Sequence, residues 1–76
     1  MGRIDSYERK LRKHQRNIEK HQKKIEELSD KLYQKKISED SYLKKTQKII
    51  HHIREENSEV RILKGILVKA KHARDN

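Results

Sequence analysis

Apolar residues recur along the first part of the chain at alternating steps of three and four. Ile4, Leu11, Ile18, Ile25 and Leu32 stand seven residues apart, and Tyr7, His14, His21 and Leu28 fill the second position of the same heptad. The unit is written almost literally twice, as Lys13-His14-Gln15-Arg16-Asn17-Ile18-Glu19 and Lys20-His21-Gln22-Lys23-Lys24-Ile25-Glu26. A seven-residue period with apolar side chains at fixed positions keeps one helix face turned toward a partner helix. The pattern predicts a first helix over about residues 4–36, with neither Gly nor Pro inside it. Acids placed four residues before bases favour the same helix: Asp5 with Arg9, Glu8 with Arg12, Glu19 with Lys23 and Glu27 with Lys31. Each such pair contributes about 0.2–0.5 kcal/mol.

The stripe breaks at Lys35 and Glu39, which take the next two seam positions. Ser38 followed by Glu39 and Asp40 reads as an N-cap with acids in the first helical turn, where the positive end of a helix dipole favours them. Lys35 and Lys36 suit the negative end of the preceding helix. A turn at about residues 37–38 and a second helix over about 39–72 follow. The second stripe holds Tyr42, Thr46, Ile49, Ile53, Glu56, Val60, Leu63, Leu67 and Ala70. Folding at residue 37 sets Leu32 against Tyr42, Ile25 against Ile49, His21 against Ile53, His14 against Val60, Leu11 against Leu63 and Ile4 against Ala70. The misfit in that register is Glu56, opposite Ile18. A competing reading keeps one uninterrupted helix, because counting sevens from Ile4 also reaches Ile53, Val60 and Leu67. Such a rod of about 70 residues is about 105 Å long at 1.5 Å per residue. The absence of a glycine at the turn favours the rod.

Residues 28–50 carry a resemblance that favours the hairpin. Leu32-Tyr33-Gln34-Lys35-Lys36-Ile37-Ser38-Glu39-Asp40-Ser41-Tyr42, with Lys45 and Ile49-Ile50 after it, resembles the short helical hairpin motif called SHOCT. That family reads Leu-Tyr, a Gly two residues before Ile-(Ser/Thr), an acidic turn and an aromatic residue; here Lys35 stands at the Gly position. The resemblance implies a helical hairpin used for oligomerisation or docking, without chemistry of its own.

Composition limits what a single copy can bury. Charged residues are 43% of the 76-residue chain and hydrophobic residues 30%. At about 1.5 kcal/mol of ordering entropy per residue, so small an apolar share points to oligomerisation. No cysteine is present to staple the fold, which suits an intracellular protein or a hot environment. The Lys, Glu, Arg and Ile richness leans toward a thermophile. Apolar surplus on the second helix, at Leu43, Ile50, Ile62, Ile66 and Val68, is suited to a second hairpin, and two hairpins make a four-helix bundle. Gly65 sits among these residues and would let another backbone approach.

The net charge is +9, which points to a polyanionic partner. Residues 1–24 hold nine Lys or Arg against three Asp or Glu, residues 25–58 hold seven of each, and residues 59–76 hold five against two. In a hairpin the first and last blocks lie together, so the positive excess gathers at the open end. The expected nucleic-acid contacts are Arg9, Lys10, Arg12, Lys13, Arg16, Lys20, Lys23 and Lys24 on the first helix, with Lys64, Lys69, Lys71 and Arg74 on the second. The expected seam is Leu11, His14, Ile18, His21, Ile25, Leu28, Ile49, Ile53, Val60, Leu63 and Leu67. Three scattered tyrosines (Tyr7, Tyr33, Tyr42) are too few for a base-stacking platform. Contacts led by phosphate, sensitive to salt and indifferent to sequence are expected instead, with DNA ahead of RNA.

Other functions fit the residues poorly. His14 and His21 stand about 10.5 Å apart along a helix, too far to share a metal ion. Half-buried in the seam and neutral, they would fix register and weaken the assembly on gaining protons. No nucleophile with a neighbouring base and no glycine-rich phosphate loop is present, so neither catalysis nor a cofactor is expected. Residues 60–71 alone resemble a basic membrane-surface helix, but Leu63 and Leu67 are claimed by the seam. No stretch is long and apolar enough to span a bilayer, and no signal peptide opens the sequence. The sequence thus describes an all-α antiparallel hairpin of two long helices, assembling into a coiled-coil dimer or four-helix bundle. Its expected role is binding nucleic acid in the manner of a nucleoid or chromatin protein, in the cytoplasm or on the nucleoid. The alternative is an oligomerisation or protein-interaction module.

Overall fold

The heptad stripe folds back on itself. In the computed structural model, which describes residues 2–75 and leaves the side chains of residues 74 and 75 outside the description, α1 spans Arg3–Tyr33 and α2 spans Glu39–Asp75. They lie antiparallel as a rod of 58 × 17 × 14 Å. The continuous 70-residue helix is therefore not the fold. Helix α1 stops three residues short of the expected end, and α2 runs three residues past His72.

The early stop has a local cause. Lys35 takes φ 60°, the left-handed conformation, and reverses the chain. Its N–H donates to the Leu32 carbonyl at 3.0 Å, and the Lys36 N–H donates to the Lys31 carbonyl at 2.8 Å. This pair of bonds is the Schellman arrangement, which satisfies carbonyls that a helix end leaves free. Glycine usually occupies that position because a Cβ is disfavoured there. Lys35 fills it here. The start of α2 follows the sequence reading closely: the Ser38 hydroxyl accepts the Ser41 N–H at 3.1 Å, and Glu39 and Asp40 lie in the first turn.

A narrow core runs between the helices. Leu28 from α1 and Ile49, Leu63 and Leu67 from α2 are its buried apolar residues, joined by Thr46. Thr46 satisfies its hydroxyl within its own helix, donating to the carbonyls of Tyr42 at 2.8 Å and Leu43 at 3.1 Å. Leu11, Ile18, Ile25, Ile53 and Val60 are half-buried, as two helices alone cannot enclose a seam from all sides. No described side chain is completely enclosed. Leu43, Ile50, Ile62 and Val68 remain exposed on α2, and Gly65 has open space where a Cβ would stand.

Candidate nucleic-acid interface

About five turns from the hairpin bend, at His14 and Glu56, the seam changes from apolar to polar. Glu56, the misfit of the expected register, does not stand against Ile18 unpaired. His14 Nδ1 donates to Glu56 Oε2, and the Asn17 amide donates to Oε1 at 3.2 Å. Asn17 flanks the seam beside Ile18, which places its amide at the helix interface. The hydrogen bond from His14 holds the Glu56 carboxyl below its usual pKa, opposed by partial burial and helped by Asn17 and by the charge of His14 and His21. His14 thus sits against a carboxylate, a different setting from the neutral, apolar seat that the sequence suggests. The His21 ring stacks on that of His52, the residue before its expected neighbour Ile53, with centroids 5.6 Å apart and planes within 13°.

The cationic side chains lie around this seam on more than one face. Arg9, Lys10, Arg12, Lys13, Arg16, Lys20, Lys23 and Lys24 are all exposed on α1, and Lys64, Lys69 and Lys71 are exposed on α2. The Arg74 side chain lies outside the described residues. Arg16, Lys20 and Lys23 share one shallow depression of about 540 Å³, interleaved with Glu19 and Glu26. Arg12 adjoins it in a second hollow with Arg16 and Glu19. Lys24 instead faces a groove on another side, between the helices. Two of the expected contacts already have partners: Lys71 Nζ lies 3.5 Å from Glu8 across the open end, and Lys10 Nζ lies 5.9 Å from the centre of the Tyr7 ring. The Glu8–Lys71 contact brings the start of α1 beside the end of α2, so the two positive blocks are neighbours.

The four acid–base pairs expected along the helices do not close. Among the described residues, ion pairs within 4.0 Å are His14–Glu56, His51–Glu55 and Lys71–Glu8. Asp5–Arg9, Glu8–Arg12, Glu19–Lys23 and Glu27–Lys31 are open, since an exposed pair gains too little to hold two long side chains in one geometry. Their bases are left available to a ligand.

The groove facing Lys24 does not show when charge is summed along the chain. It has a volume of about 550 Å³ and carries Lys31, Lys45 and Lys48 besides Lys24. Summing charge along residues 25–58 gives zero and conceals this clustering, because the compensating acids lie mostly on other faces. Helical wheel positions could have shown it: Lys24, Lys31, Lys45 and His52 all flank the seam on one side.

No family model, no curated protein and no solved structure matches the chain. No described helix is long and apolar enough to cross a membrane. Among the described residues, no group of three or more His, Cys, Asp or Glu could hold a metal ion.

Proposed function

We propose that this chain is a small basic nucleic-acid-binding protein that acts as a helical-bundle oligomer and contacts phosphates with little regard to sequence. One observation carries the reading. The positive blocks at the two ends of the sequence, nine bases against three acids in residues 1–24 and five against two in residues 59–76, adjoin at the open end of the hairpin. Those bases among the described residues have exposed side chains, and most are unengaged by acids. Phosphate contacts by such side chains release counterions, so binding should weaken steeply with salt. A nucleoid or chromatin-type role, with DNA preferred to RNA, is the concrete form.

The test is a fluorescence-anisotropy titration against a random-sequence DNA duplex at about 50 and 200 mM salt, with matched RNA in parallel. The reading requires micromolar or tighter binding at low salt, falling as salt rises. Neutralising Lys13, Arg16, Lys20 and Lys23 together to Gln should leave helicity intact. The logarithmic salt slope should then shrink by up to about 0.9 for each phosphate that the variant no longer neutralises. Absence of duplex binding at low salt would refute it.

A second reading, an oligomerisation or protein-interaction module, is favoured by the apolar residues Leu43, Ile50, Ile62 and Val68 left exposed on α2. A second hairpin laid on that helix would cover them and complete a four-helix core. Light scattering across a concentration series reports the assembly directly. A monomer at all concentrations would remove the oligomer from both readings.

A further inference from the structure

The groove in the turn-proximal half differs in kind from the open-end stripe. Lys24 and Lys31 rise along its α1 wall, and Lys45 and Lys48 along its α2 wall; Leu28 and Ile49 form the floor, and Glu27 is its acid. His21 and His52 close one end as a stacked pair, the first half-buried and the second exposed. His51 continues the row, its ring 6.2 Å from that of His52 and tilted by 56°. Lys48 and His52 also border a neighbouring hollow of about 420 Å³ with Lys44, Gln47 and His51, in which no acid takes part. The imidazoles thus form a ridge between two basic concavities.

We propose that this groove binds one unpaired nucleic-acid strand, with the lysine rows holding its phosphates and the imidazole row stacking a base. The proposal rests on the nucleic-acid reading above but assigns a different surface and a different form of the polymer. Lysine walls on both sides of a recess follow a single backbone, and Lys24 to Lys31 spans about 10.5 Å. At about 3.4 Å per stacked nucleotide that length accommodates about three phosphates. Single-strand sites combine such a basic channel with aromatic faces, and histidine serves as one of those faces. A duplex keeps its bases inside the stack and offers the imidazoles nothing to cover. Tyr7, Tyr33 and Tyr42 are scattered; the aromatic surface is supplied by the histidines.

The experiment compares labelled oligothymidylate, an abasic strand of equal length and a duplex by anisotropy at low salt. The full chain should hold oligothymidylate about fivefold or more tighter than the abasic strand, the lower end of what one stacked base contributes. His52→Ala should erase that difference while leaving abasic affinity unchanged, and His52→Phe should keep it. Lys45→Gln with Lys48→Gln should weaken both strands alike. Circular dichroism of each variant confirms that the helices persist. Equal affinity for thymidylate and abasic strands, or a preference that survives His52→Ala in a folded protein, overturns the proposal and leaves duplex binding untouched. Failure to bind any of the three polymers overturns the nucleic-acid reading itself.

Discussion

Replacing Lys35 with glycine should stabilise the protein, and the sign of the effect distinguishes a hairpin from a continuous helix. Among the described residues, Lys35 is the non-glycine residue with positive φ, at 60°. An L side chain in that conformation costs about 1–2 kcal/mol. Glycine removes the cost but gives back about 0.4–1 kcal/mol by enlarging the freedom of the unfolded chain. The balance is a gain of about 0.5–1 kcal/mol, since the two Schellman bonds involve backbone atoms that glycine retains. For a domain this small, each kcal/mol moves the melting temperature by about 4–8 °C, so a rise of about 3–6 °C is expected. Lys35→Ala is the control: it removes the same charge but keeps the Cβ, and should leave the melting temperature nearly unchanged. Melting followed by circular dichroism at one fixed protein concentration measures both, concentration being held because assembly would shift the midpoint. In an unbroken rod residue 35 would be a helix interior, where glycine costs about 1 kcal/mol relative to alanine. A lower melting temperature for Lys35→Gly than for Lys35→Ala would therefore refute the turn geometry.

Other expectations follow from the seam. Glu56 has its pKa held below the ordinary 4.5 in the folded chain, so its contribution is complete above about pH 4.5 and is lost as pH falls through the depressed folded value. Glu56→Gln should accordingly be less stable than the parent near neutrality, with the gap closing in the acid limb; urea midpoints at a series of pH values would show a constant gap if the His14–Glu56 bond were unimportant. Leu67→Ala should cost about 2–3 kcal/mol, the lower part of the range for a buried leucine because the seam opens readily to water. Chemical denaturation measures it, and a loss well under 1 kcal/mol would mean that Leu67 is not packed in the core.

The hairpin was legible because its signals agree at several levels: the seven-residue stripe, the break at Lys35, the Ser38 cap and the facing pairs of the two stripes. Its turn geometry was less so, since lysine carries no preference for the left-handed conformation and the chain adopts it through the demands of the helix end. Register was readable to within about one helical turn: Tyr42, set against Leu32 by the sequence, bonds Ser29, and His14, set against Val60, bonds Glu56. It was not readable at the resolution of atoms. Glu56 looked like an error until Asn17 and His14 reached it, and long polar side chains have a reach that seam positions do not encode. Charge summed along the chain shows the open-end excess and passes over Lys31, Lys45 and Lys48.

The shape of the hairpin governs how it will present itself in solution. A compact chain of this length has a radius of gyration of about 11 Å, and 17.2 Å is what a globule of about 220 residues would show. Friction rises with elongation as well, so one hairpin tumbling alone would leave a sizing column earlier than a globular protein of its 9.2 kDa mass. Two hairpins packed side by side would thicken the rod without lengthening it. Association would then change the elution volume far less than it changes the mass, and scattering intensity, which counts mass, would register a doubling that diffusion barely notices.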